Sequence, residues 1–425
     1  MRRPTKLFPE SDKAPTWLPF NCYNESMTCV WLHYTECPVV KHNKSPFFRA
    51  FSLCACLHGL AIAAGFSISV TANAVETWSL EQRTPYNAKL QQVKTLSYRP
   101  LSTAKRPWRL CALVPHLKDA YWIGIDYGLV TRAQTLGVAL ELFEAGSYYG
   151  KAKQLEQLEH CMKSDFDAIL LGTVDPELLK QYQGQISKPM LALVNRLDSP
   201  LVSTRIGVNW YQMGWHAGDF IHRTTAKQPG KANTEQANTD QTNTGQAVQL
   251  ALLLGPEKLG GSTWVEQGIM EALEGSNVSI SSNRHADNNR DLYRDQLHHL
   301  LKDHRPDYIL GSAVAIEAAI GALAQKDTAQ DIALVSSYLS PATLRGLYRH
   351  RVAFSSDDQV VLQGKLAIDV VVRELEGAAP FGDIGPRIKG LTPDNIQMKQ
   401  LTDSLAPADF YPIYRVEAPK ATPQP

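Results

Sequence analysis

The 425-residue chain carries 43 Lys and Arg against 42 Asp and Glu, a net charge of +1, and 44% apolar residues. That is enough for two or three domains with full cores, and the even charge balance argues against a nucleic-acid partner, which needs a basic face. A single stretch is apolar enough to enter a bilayer, which excludes a polytopic membrane protein.

That stretch, 51–70, follows a basic segment at 41–49 and precedes Thr71-Ala72-Asn73-Ala74. Basic region, apolar run and small residues before a cleavage point make the secretory pattern. We expect an N-terminal extension plus signal peptide over 1–74, cut near 74/75, and a periplasmic mature chain; the alternative is an uncleaved anchor. Residues 1–40 show no periodicity, as a start codon assigned too far upstream would produce. Five of the seven cysteines precede Val75, leaving Cys111 and Cys161. In an oxidising compartment this pair is a disulfide candidate, the alternative being two buried free thiols.

Residues 75–107 are weakly patterned and read as an arm. From Arg109 the pattern is regular. Residues 110–114 read as a strand. Asp119 can cap a helix whose apolar face is Trp122, Ile125, Leu129, Ala133 and Leu136, and Gly137 stops it. Strands at 138–143, 168–171 and 190–194 alternate with helices at 151–163 and 176–186. A polar, repetitive stretch within 226–247 interrupts this order and reads as a flexible insertion. The alternation then resumes, with strands at 249–254, 278–280, 308–310, 332–335 and 352–354. Helices near 262–274, 290–303, 315–325, 341–349 and 359–376 separate them. Short strands joined by helices imply parallel sheets with right-handed crossovers. The expected architecture is α/β with two lobes: lobe 1 over 108–209, lobe 2 over 210–358, a crossover helix and return to lobe 1 over 359–417, and a tail from 418.

No enzyme motif is complete. In Gly255-Pro-Glu-Lys-Leu-Gly260-Gly261-Ser262 a glycine stands where a P-loop has its lysine. There is no G-x-S-x-G and no H-E-x-x-H. His298, His299 and His304 lie on a charged helix without zinc spacing. We therefore expect no catalysis, no metal and no cofactor.

The informative residues are aromatic. Ligands of open parallel sheets bind beyond the carboxyl ends of the strands. There the sequence places Tyr121-Trp122, Tyr148-Tyr149, Trp210-Tyr211 and Tyr338, with Asp357-Asp358 after the last strand. Rings facing a cleft attract sugars or methylated ammonium groups. Each has a plainer reading: core packing for Trp122, hinge packing for Trp210, exposed loop for Tyr148 and Tyr149, a helix cap for Asp358. Gly260-Gly261-Ser262 offers either free N–H groups to a ligand oxygen or a tight turn.

The run Trp108-Arg-Leu-Cys-Ala-Leu-Val-Pro-His-Leu-Lys-Asp-Ala-Tyr-Trp122 resembles the TorT family of periplasmic proteins. So, in order, do Glu144-Ala-Gly146, Ala168-Ile-Leu-Leu-Gly172, Gly207-Val-Asn-Trp-Tyr-Gln-Met-Gly214, Gly260-Gly-Ser262, Ser337-Tyr-Leu-Ser340 and Leu391-Thr-Pro393. The resemblance implies a type I periplasmic-binding-protein fold. It also implies trimethylamine N-oxide (TMAO) bound between the lobes, and a partner in the periplasmic domain of a TorS-type sensor histidine kinase. By the same resemblance Tyr121, Trp122, Tyr148, Trp210 and Tyr338 would line the pocket, with Asp358 nearby. A sugar- or amine-binding protein of a transporter is the rival reading.

Overall fold

Runs of Leu, Ile, Val and Ala a few residues long are too short for helices and too apolar for a surface, so they pair as buried strands. A computed structural model describes residues 76–226, 247–303, 305–324, 331–397 and 401–419. The expected signal peptide, nearly all of the expected insertion, and His304 lie outside the described residues.

In chain order the first part forms β1 (Trp78–Thr84), β2 (Gln92–Tyr98), β3 (Arg109–Val114), α1 (Ala120–Leu136), β4 (Ala139–Glu144), α2 (Lys151–Lys163) and β5 (Ala168–Leu171). There follow α3 (Leu178–Gln181), β6 (Met190–Leu193), β7 (Arg205–Ile206), α4 (Trp210–Ala226), β8 (Val248–Leu254), α5 (Ser262–Ala272) and β9 (Val278–His285). The remainder forms α6 (Arg290–Asp303), β10 (Tyr308–Gly311), α7 (Ala313–Leu323), β11 (Ala333–Ser336), α8 (Pro341–Tyr348), β12 (Val352–Asp357), α9 (Val360–Leu375), β13 (Asp383–Pro386), β14 (Lys389–Leu391) and β15 (Arg415–Val416).

Two parallel-dominant sheets result, in the orders β15-β4-β3-β5-β6-β7-β13-β1-β2 and β14-β12-β11-β10-β8-β9. Each is covered by helices and forms one lobe. Asp119 caps α1, accepting from the Trp122 N–H at 3.1 Å, and Gly137 ends it in the left-handed region with φ 69°. Cys111 of β3 and Cys161 of α2 are joined by a disulfide in the lobe 1 core.

Three segments differ from the sequence expectations. The weakly patterned stretch after residue 75 contains the β1–β2 hairpin, because β1 pairs antiparallel with β13, some 300 residues away, and so joins the lobe 1 sheet. The helix expected over 176–186 stops after Gln181. Tyr182 turns extended and its hydroxyl donates to Glu159 of α2. After α9 the chain does not simply return to lobe 1. β13 lies in that sheet, β14 pairs with β12 in lobe 2, Leu401 packs in the lobe 2 core, and β15 pairs back with β4. The unpaired side of β12 takes β14 because Ser355–Asp357 lie in register with Lys389–Leu391.

Candidate functional site

The strands of both lobes end facing one cavity. Its lining comes from the first turn of α1 (Tyr121, Trp122), the loop after β4 (Tyr148), the first turn of α4 (Trp210) and the end of β11 (Ser337, Tyr338). The turn entering α5 (Gly260, Gly261, Ser262), Ser312 at the cap of α7, Asn288 and Asp119 complete it. The cavity measures about 40 Å³. A single water needs about 10–15 Å³ on the same measure, so there is room for a handful of heavy atoms.

The rings form a cage. Tyr121 stands at its centre, 5.1 Å from Tyr338 edge-on, 6.1 Å from Trp210 and 6.0 Å from Trp122. Trp122 is 1% exposed and serves both the core and the cage. Its indole N–H donates to the Tyr148 hydroxyl at 3.2 Å. Tyr148 is buried whereas its neighbour Tyr149 is 65% exposed, so the loop after β4 turns one ring in and one out. Tyr211 points away from the cavity and donates to Glu271 at 2.7 Å. Trp210 lies flat against Gly261, where any Cβ would run into its ring. Glycine at that turn is thus required by the indole.

Asp358 does not line the cavity. It sits behind Tyr121, accepting the phenol O–H at 2.7 Å and the Gln363 side-chain N–H at 3.0 Å. Nor does it cap α9; its neighbour Gln359 occupies that position. Burial pushes the Asp358 carboxyl up to about 6, although the Tyr121 hydrogen bond acts to lower it. Burial and then the Asp358 carboxylate hold the Tyr121 hydroxyl well above the ordinary phenol range.

Sequence reasoning did not single out Asp119 beyond its capping role. One of its oxygens caps α1; the other, Oδ2, is buried without a hydrogen-bond partner, and the residue lines the cavity. The Tyr338 hydroxyl is also buried and unpartnered, with Ser312 as a polar neighbour. Burial raises the Asp119 carboxyl, and the nearby His116 opposes this. An unpaired buried polar group costs about 1–3 kcal/mol, so these two atoms leave hydrogen-bonding capacity unused at the cavity. For Asp119 the signal in the sequence was position alone, two residues before Tyr121, whereas Tyr338 is itself one of the expected rings.

Among the described residues no cluster of His, Cys, Asp and Glu could hold a metal, and no helix is long and apolar enough to cross a membrane. His298 and His299 are exposed on α6.

Residues 111–379 match the family model described as periplasmic binding protein domain. The periplasmic protein TorT of Escherichia coli (strain K12) is 37% identical over 315 residues, covering 73% of this chain and 85% of that protein. Two solved structures of the TorS sensor domain–TorT complex, one without ligand and one with TMAO, match at TM-score 0.63 and 37% identity. Each match covers 72% of this chain and nearly all of that one. An ABC transporter solute-binding protein from Bradyrhizobium sp. BTAi1 with bound bis-tris matches at TM-score 0.65 and 28% identity, over 79% of this chain and 98% of that one.

Proposed function

Because the chain belongs to the TorT family of periplasmic binding proteins, we propose that it binds TMAO in the aromatic cage and signals its presence to a TorS-type sensor histidine kinase. One observation carries the reading: five rings enclose a cavity that also holds two unpartnered polar groups. TMAO presents three methyls on a formally cationic nitrogen, which favour the negative faces of Tyr and Trp. Its oxygen is a strong acceptor and meets the Tyr338 hydroxyl, a donor without a partner. The free Asp119 oxygen either faces the cationic nitrogen as a carboxylate or donates to the oxide when protonated. No catalytic step enters this reading; the protein is a binder, working in the periplasm as its relative does.

A protein outside the membrane cannot signal across it alone. The ligand must therefore favour one arrangement of the lobes, and the kinase domain must bind that arrangement better. A sugar-binding role in transport fits the cage less well, since a pyranose with its hydroxyls needs more space and more polar partners than the lining offers.

Calorimetry with the mature chain tests the proposal. Saturable binding of TMAO at one site is expected, and Trp210→Ala should remove the heat while leaving the thermal transition in place. Stabilisation by a sugar in a thermal-shift screen, with none by TMAO, would replace this reading with transport.

A further inference from the structure

Trp210 is the cage ring with the least obvious support. It opens α4 immediately after the chain leaves lobe 1, where a ring could swing freely. Its indole N–H, however, donates at 3.3 Å to the carbonyl of Val194, just past the end of β6. Val194 is buried and has φ 64°, a left-handed backbone that a β-branched residue strongly disfavours. The Asn195 N–H bonds back to the Leu193 carbonyl at 2.7 Å, closing a three-residue γ-turn of the rarer hand around Val194. Such a conformation persists only where its surroundings over-determine it.

The surroundings are a guanidinium. Arg205, 1% exposed on β7, donates through Nη1 to the same Val194 carbonyl at 3.0 Å and through Nη2 to the Val208 carbonyl at 3.0 Å. The Asp383 carboxylate fixes Arg205 by contacts of 2.9 to 3.2 Å and also accepts from Arg83 and Gln91. Gly207 leaves room for this: a Cβ there would stand 2.6 Å from Arg205 Nη1 and 2.8 Å from the Val194 oxygen.

We infer that Arg205 is a positioning residue for the ligand cage: it holds the Val194 carbonyl where the Trp210 indole reaches it, and so sets the plane of that ring. Lobe 1 then orients Trp210 through its N–H, and lobe 2 backs its face through Gly261. One indole thus records how the two lobes stand. The inference rests on the cage being the ligand site. A planar fork with several fixed donors is what the arrangement uses, so lysine is no substitute.

The test is a double-mutant cycle read by TMAO calorimetry. Arg205→Lys should weaken binding about 3- to 10-fold, the range for one lost hydrogen bond. In a Trp210→Phe background, which keeps a ring but lacks the N–H, the same change should alter affinity less than about twofold, since coupled sites are non-additive. Equal losses in both backgrounds would overturn the inference, because a general structural defect is additive. A second measurement needs no altered cluster. In the ligand-free native protein the Trp210 indole N–H, assigned through Trp210→Phe, should exchange with water far more slowly than that of the half-exposed Trp215. Exchange as fast as that of Trp215 would equally overturn it. If the native protein takes up no TMAO, the ligand reading fails, while comparing indole exchange in the parent and in Arg205→Lys still judges Arg205. Faster exchange is expected in the variant, and an unchanged rate would overturn the inference.

Discussion

Tyr121 meets the cavity with its ring and the interior with its hydroxyl, and the two ends do different work. The ring is the hub of the cage, while the phenol O–H is one of two side-chain donors to the buried Asp358 carboxyl. Tyr121→Phe should therefore hold TMAO within a few-fold of the parent affinity. It should also lower stability by about 1–3 kcal/mol, the penalty for leaving a buried acceptor short of a partner. Calorimetry and denaturant melts separate the two effects, and a large affinity loss would place the hydroxyl in the ligand site. Asp126 on α1 offers a pH test. Its carboxyl is fully buried; the Ile413 N–H bonds one oxygen and the other has no partner. Burial pushes it up to about 7, against about 3.9 in an unfolded chain. The native state holds a proton through a window where the unfolded state has released it. The stability from this group is thus complete below about pH 4 and lost as pH rises towards 7. Asp126→Asn should flatten that decline and be more stable than the parent at pH 8; parallel profiles would contradict the assignment.

At the scale of elements, two helix pairs place the cage rings, and both cross with backbones nearly touching. In lobe 1, α1 packs on α9. A Cβ at Gly128 would run into the Val361 carbonyl, and one at Gly364 into the Ile125 carbonyl. In lobe 2, α4 packs on α5, where Gly214 faces the Val265 carbonyl and Gly268 the Tyr211 carbonyl. The first pair carries Tyr121 and Trp122; the second carries Trp210 and the glycine turn behind it. Backbone cannot rotate out of the way as a side-chain tip can. Gly364→Ala should cost about 1–3 kcal/mol or more, by the usual penalty for overpacking. It should also weaken TMAO binding, because α1 must move outward to admit the methyl. Unchanged melting and affinity would show that the helices can separate freely.

For the whole molecule, the proposed mechanism has ligand and kinase acting on the same arrangement of lobes, so their effects are reciprocal. The kinase's periplasmic domain should tighten TMAO binding by the factor by which TMAO tightens the complex. Calorimetry with and without that domain measures the coupling, and a TMAO affinity that the domain leaves unchanged would contradict it. The Cys111–Cys161 bond, 50 residues apart in sequence, acts on the whole fold through the unfolded state. Closing a loop of that length stabilises by about 4 kcal/mol in the chain-entropy model. Reduction should lower the melting temperature by several degrees, and the oxidised protein should show no free thiol by mass. Two free thiols would remove the bond from the account.

What was legible in the sequence was local. Periodicity alone placed α2 and α6 at the residues observed, and chemistry placed the cap at Asp119 and the stop at Gly137. The rule that ligands sit beyond strand ends pointed to seven rings; the five that line the cavity were singled out by the family resemblance, and the rule alone did not separate them from Tyr149 and Tyr211. Other features depended on partners far away in the chain. The β1–β2 hairpin lacks a strong pattern because β13 supplies its pairing, and Asp358 reads as a cap until Tyr121 claims its carboxylate. The left-handed turn at Val194 contradicts local preference outright and exists because Arg205 and Trp210 converge on its carbonyl. Side-chain period is written between neighbours, whereas the satisfaction of a buried polar group is settled only when distant segments meet.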